Sequence, residues 1–184
     1  MSVVELIAAD DAPLLARPFF AGGDPGPITA ALAHVPELLE VAMPFLGAAL
    51  GPSSVDWKTK EIVILRTSAR LACRYCVASH TPVALDSGWT HQQVHALRGE
   101  ADADAVFEPR ERALVAWVDA VAGTTAVPPD VEQLAKQHFQ DHELVELTLL
   151  VGATLLLNRF ATSLRLPVAD ATIERLASEG MSIV

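Results

Sequence analysis

Apolar residues recur along this chain at intervals of three and four, and nowhere do they alternate with polar ones over the length of a strand. In "EPRERALVAWVDAVAG", for instance, Leu114, Trp117, Val118 and Val121 fall on one face of a helix. Start and stop signals divide this pattern into helices. The first two are Ile28 to Ala33 and Pro36 to Leu50, the second opening on proline and ending near Gly51-Pro52. Ser54 or Asp56 can cap the next, which runs through "WKTKEIVILRTSARL". Gly88 stops a helix begun near Cys73, and Pro82 should kink it. Thr90 with Gln93 forms a capping box for a short helix to about Arg98. Pro128-Pro129-Asp130 opens another, to about Phe139, and Asp141 caps a long one through Arg159 to about Leu164. A last helix spans about Ala169 to Ser178. The fold class predicted is all-α, one helical domain over residues 28–184. Residues 1–27, with Pro13, Pro18, Gly22, Gly23, Pro25, Gly26 and Pro27, read as an irregular arm with room for one short helix.

Composition narrows the function classes. With 51% hydrophobic and 5% aromatic residues, the bulk is Ala, Leu and Val, which favours helix over sheet. A net charge of −10 argues against a nucleic-acid surface and against docking on an anionic membrane. The most apolar run, Leu144 to Leu157, contains Glu146 and falls short of the ~20 residues of a membrane span, so a buried helix is expected there. The opening "MSVVELIAADDAPLL" has no basic segment before its apolar residues and does not read as a secretory signal. The cytoplasm is therefore the expected location, where a structural disulfide is unusual.

Against that background "CRYCVASH" stands out, because both cysteines of the protein lie in it. At ~100° per residue, Cys73, Cys76 and His80 share one stripe of a helix. With Cys73 at or beside the N-cap, Cys76 occupies the first turn, where unpaired N–H groups and the helix dipole favour a thiolate. The expectation is a lowered pKa at Cys76, with His80 able to carry a proton. Three other readings compete: a disulfide staple, two core thiols, and zinc held by Cys73, Cys76 and His80. No second CxxC or HxxxH pair completes a zinc site, and His91 and His95 belong to the exposed face of a short helix.

Glu61 is the other candidate. It sits among Ile62, Val63, Ile64 and Leu65, and one continuous helix would hold it ~18 Å from Cys73. A fold-back at "SARLAC" would instead bring Glu61 level with His80, giving a carboxylate–imidazole–thiol relay. The alternative is an exposed Glu61 paired with Lys58 or Lys60.

Glu61, eleven residues, Cys73-Arg-Tyr-Cys76, three residues and His80 together resemble the alkylhydroperoxidase D core within the carboxymuconolactone decarboxylase-like family. "ALDSGWTHQQVHAL" and "ELVELTLLVGATLLLNRF", with its Asn158-Arg159 ending, are similar to later helices of that family, and the resemblance covers roughly Val35 to Leu166. It implies an all-helical bundle with the CxxC at a helix N-terminus, assembled as a homotrimer or homohexamer, sometimes a dimer. It also implies peroxide reduction without a cofactor or metal, with a hydroperoxide as substrate and a dithiol reductant such as a lipoylated protein. In those terms Cys76 is the peroxidatic cysteine, Cys73 the proton donor and resolving cysteine, and Glu61 with His80 the proton relay. The sequence departs at Tyr75, where the characterised peroxidase has a histidine. Two alternatives are carried forward: a lyase using Glu61 and His80, and a non-catalytic helical oligomer with a structural CxxC.

Overall fold

The computed structural model describes residues 1–123 and 125–183; Thr124 and Val184, both inside the expected helical domain, lie outside the described residues. Among the described residues there are nine α-helices, two short 3-10 helices and no strand. The helices are α1 (Gly26–Leu32), α2 (Pro36–Leu50), α3 (Trp57–Arg70), α4 (Arg74–Asp86), α5 (His91–Leu97), α6 (Pro109–Val121), α7 (Pro129–His138), α8 (Asp141–Leu164) and α9 (Asp170–Ser178). The sequence signals act as read at several ends. Asp56 caps α3 by accepting the Thr59 N–H at 2.9 Å, and Thr90 and Gln93 form their box at the start of α5.

The central element is α3. Ile62, Val63, Ile64 and Leu65 are all buried, and α4, α6 and α8 pack around them. A helix covered on every side must also bury its polar residues, and these then need partners. Lys60, 1% exposed, donates to the carbonyls of Ala49 (3.0 Å) and Gly51, which closes the C-terminus of α2. It also makes an ion pair of 2.7 Å with Glu146 on α8. Ser53 and Ser54 donate their hydroxyls to the same carboxylate. Burial alone would raise the Glu146 carboxyl, but the hydrogen bonds from Lys60, Ser53 and Ser54 prevail and hold it at about 2.

The chain breaks between α3 and α4, and the break has a defined form. Ala72 takes a left-handed backbone (φ 48°). Its N–H reaches the Ala69 carbonyl at 3.0 Å, and the Cys73 N–H reaches the Ser68 carbonyl at 3.0 Å. This is a Schellman ending without the usual glycine. α8 ends the same way at Arg165 (φ 52°), with Leu166 bonded back to Ala161 at 3.0 Å.

Other details match or refine the sequence reading. α8 has its expected extent of 24 residues, but by length and composition the whole helix is long and apolar enough to cross a membrane, although its most apolar run alone fell short of a span. Half of its apolar window is buried, and it packs against α2, α3, α4 and α6. Its N-cap is Gln140 rather than Asp141, with the Glu143 carboxylate accepting the Gln140 N–H at 2.7 Å. α4 runs as expected from Arg74 past Pro82 to Asp86, just before the stop at Gly88. The N-terminal arm holds two 3-10 helices, Ala9–Asp11 and Arg17–Phe20, not one. It is fastened to the domain by burial of Ala12, Ala16 and Phe20 against Ala33 and Leu39, and by the Val3 N–H on the Leu164 carbonyl at 2.8 Å.

Candidate active site

The Schellman turn delivers Cys73 as the N-cap of α4 and places Cys76 in its first turn. The Cys73 sulfur accepts the Cys76 backbone N–H at 3.4 Å, and the two sulfurs lie 2.9 Å apart as free thiols. Both residues are buried, in a small cluster with Ala31, Ala161 and Leu166. Thr162 of α8 lies beside Cys73, and Ser68 of α3 lies beside Cys76.

The charge does not go where the sequence placed it. The Cys76 sulfur and its backbone N–H both lie within hydrogen-bond reach of the Cys73 sulfur, and with the Thr162 hydroxyl they outweigh burial and lower the Cys73 thiol to about 6. Cys76 moves up, because the contact with Cys73 favours its protonated form and burial adds to this. The neighbouring thiol is the largest cause at Cys73, and the helix amide received at the N-cap adds to it.

The carboxylate and the imidazole meet. Glu61, 2% exposed, is brought back by the α3–α4 turn so that its two oxygens lie 3.1 and 3.3 Å from His80 Nδ1. With Nδ1–H donating to the carboxylate, Nε2 is left as the exchanging nitrogen. The rival exposed position for Glu61 is excluded by its burial, and Lys60 is engaged by Glu146. Cys73 and Cys76 face each other while His80 faces Glu61. Among the described residues no three His, Cys, Asp or Glu side chains converge as a metal ion would need.

Tyr75 packs half-buried among the cysteine cluster, and burial raises its phenol above the ordinary value. It is a neutral hydroxyl, not a second base. Sequence reasoning missed Thr162 and Ser68. Thr162 lies three residues past Arg159, outside any pattern in the cysteine motif, and a serine a few residues before the fold-back carries no signal of its own. Asn158 was noticed for its place at the end of α8, but it is 1% exposed with both amide atoms unpaired, a buried polar group inside the helix packing.

Comparison with known proteins gives this geometry its relatives. Residues 36–120 match the Carboxymuconolactone decarboxylase family. The matched segment holds Glu61, Cys73, Cys76 and His80 together. A solved protein of unknown function from Agrobacterium tumefaciens, described as a candidate AhpD antioxidant defence protein, is 28% identical with a TM-score of 0.68, over 76% of this chain and 95% of that one. An uncharacterized peroxidase-related protein from Ralstonia eutropha JMP134, described as an alkylhydroperoxidase AhpD core, has a TM-score of 0.79 at 19% identity, over 93% and 94%. The debrominase Bmp8, a variant of which was solved in complex with 2,3,4-tribromopyrrole, has a TM-score of 0.73 at 17% identity, over 97% and 99%. The two more distant likenesses establish a shared AhpD-like helical fold.

Proposed function

We propose that the protein is a thiol-dependent hydroperoxidase cycling Cys73 and Cys76 between dithiol and disulfide. The observation that carries this is the pair of free sulfurs 2.9 Å apart at the start of α4, with the Cys73 thiol lowered by its neighbour and the Glu61–His80 pair one turn on. In the resting state the proton lies on Cys76. A shift of that proton to Cys73 makes Cys76 the nucleophile, the role that the resemblance gives it. Cys76 sulfur attacks the terminal peroxide oxygen, the O–O bond breaks, and the Cys73 S–H protonates the departing alkoxide to an alcohol. Cys76 is then a sulfenic acid and Cys73 again a thiolate. Cys73 attacks the Cys76 sulfur, forms the disulfide and expels hydroxide, which takes a proton by way of His80 and Glu61 to leave as water. An external dithiol, such as that of a lipoylated protein, returns two electrons and two protons. Such a cycle requires a reducing compartment, which favours the cytoplasm.

The test is a thiol count. One equivalent of an alkyl hydroperoxide should consume both thiols and release one equivalent of alcohol, and Cys76→Ser should consume none. Retention of both thiols in the wild-type protein would remove the redox reading and leave Glu61 and His80 to acid–base chemistry of the lyase kind.

A further inference from the structure

Beside the cysteines lies a cavity of about 530 Å³ lined by Ala72, Arg74 and Tyr75 from the α3–α4 turn and Thr162, Arg165 and Leu166 from the end of α8. That volume is within the range of small-molecule sites. Three things set it apart. First, it borders the resolving sulfur, 2.9 Å from that of Cys76: Ala72 and Arg74 flank Cys73 in the chain, and Thr162 lines the cavity while lying beside the Cys73 thiol. Second, it carries two exposed cations in a protein of net charge −10. Arg66, Arg98, Arg110 and Arg175 are each held by a carboxylate; Arg74 and Arg165, like Arg17, Arg112 and Arg159, have no acidic partner among the described residues, and Arg74 and Arg165 line the same cavity. Arg74 is also the first residue of α4, so the dipole at that helix end adds to its charge. Third, one side of the wall is apolar, from Leu166 onward through Pro167, Val168 and Ile173. The N-terminal arm, tied down at Val3, completes the rim with Met1 and Ser2. Asp24 acts on Tyr75 at the cavity edge and is the opposing charge an anion would meet.

We propose that this cavity binds an amphiphilic carboxylate, with the acid paired to Arg74 and Arg165 at the rim and an apolar chain along Leu166, Val168 and Ile173. Resting on the peroxidase reading, the substrate class it selects is organic acids that carry the hydroperoxide on an apolar chain, in preference to neutral hydroperoxides. Guanidinium groups suit a carboxylate by their paired N–H donors, and a substrate anion held next to a buried thiolate is tolerated only where such cations offset it.

Two measurements test this with the full-length protein. Calorimetric titration with decanoate, which has no peroxide bond, should show saturable binding, weakened at least about tenfold in the Arg74→Gln, Arg165→Gln double variant. In turnover, linoleic acid hydroperoxide and its methyl ester differ only in the carboxylate, and the ratio of their kcat/KM values should fall about tenfold in the same variant. Absence of decanoate binding, or a ratio near one in wild type that the variant leaves unchanged, overturns the anion site while the thiol count still decides the peroxidase. Decanoate binding lost in the variant, with neither hydroperoxide turned over, keeps the site and overturns the peroxidase. Because both arginines are exposed, the variant should fold, which circular dichroism checks.

Discussion

At the scale of single residues, the distribution of one proton between two sulfurs decides the chemistry. The lowering of Cys73 to about 6 comes first from the Cys76 S–H, so it depends on that donor. Titration followed by thiolate ultraviolet absorbance should therefore show one thiol ionising between pH ~5 and ~7 and the second still protonated above pH ~9. Cys76→Ala removes the donor and should move the Cys73 midpoint up toward that of a free thiol, while Cys73→Ala should abolish the acidic step. Two overlapping steps at ordinary thiol values would show that the sulfurs do not share a proton. The spacing in "CRYCVASH" made an activated thiol at this helix end legible, whereas the apolar surroundings of Glu61 left its return to His80 and an exposed position both open until the family resemblance favoured the first. Which sulfur carries the charge was not legible. That depends on how the two side chains meet and on the nearby Thr162, contacts set by rotamers and by the packing of α8 against α4 rather than by spacing within the motif. A second residue-scale expectation concerns the relay. Glu61→Gln keeps shape and burial but cannot accept a proton from His80. It should lower kcat by about tenfold to a hundredfold while leaving the two-thiol stoichiometry with peroxide intact.

At the scale of elements, the helices were legible from period, caps and proline positions, and the joints between them less so. The break at "SARLAC" has no glycine to mark it, because Ala72 itself takes the left-handed backbone. An alanine there costs on the order of 1 kcal/mol relative to glycine. Ala72→Gly should accordingly raise Tm by roughly 2–4 °C in calorimetry. An unchanged or lower Tm would mean that the extra freedom glycine brings to the unfolded chain outweighs the relieved strain. The joint of α2, α3 and α8 escaped the sequence, since Lys60 and Glu146 are 86 residues apart and the nearer acid, Glu61, offered Lys60 a local partner. Their pairing has a sign that can be tested. The Glu146 carboxyl is depressed from 4.5 to about 2 in the folded protein, so its contribution is complete above pH ~4.5 and is lost as pH falls toward 2. Denaturant unfolding should show wild type losing its advantage over Glu146→Gln, on the order of 2 kcal/mol, across that window. A difference independent of pH would mean that packing rather than charge separates the two proteins.

At the scale of the whole molecule, the apolar character of α8 reads differently once its neighbours are in place. The sequence suggested burial on nearly every face. Within one chain Leu147, Leu150, Val151, Thr154, Leu157, Asn158 and Ala161 are indeed buried, but Val145, Leu149 and Leu156 form an exposed stripe on the opposite side. α2 exposes Leu38, Val41 and Phe45 in the same way. The folded chain thus leaves uncovered apolar residues that the pattern marked for burial, and an acidic protein of 19.6 kDa with two such stripes should cover them with further copies of itself. Light scattering at micromolar concentration should return a multiple of 19.6 kDa, three or six on the resemblance to alkylhydroperoxidase D. Replacing Val41 and Leu149 by glutamate places like charges on both stripes and should yield monomers with unchanged helical circular dichroism, because neither side chain is part of the core. A wild-type mass of one chain would sink the assembly. Monomeric variants that still consume both thiols with one equivalent of peroxide would show that assembly and the dithiol chemistry are separable, as expected if Glu61, Cys73, Cys76 and His80 all act within one chain.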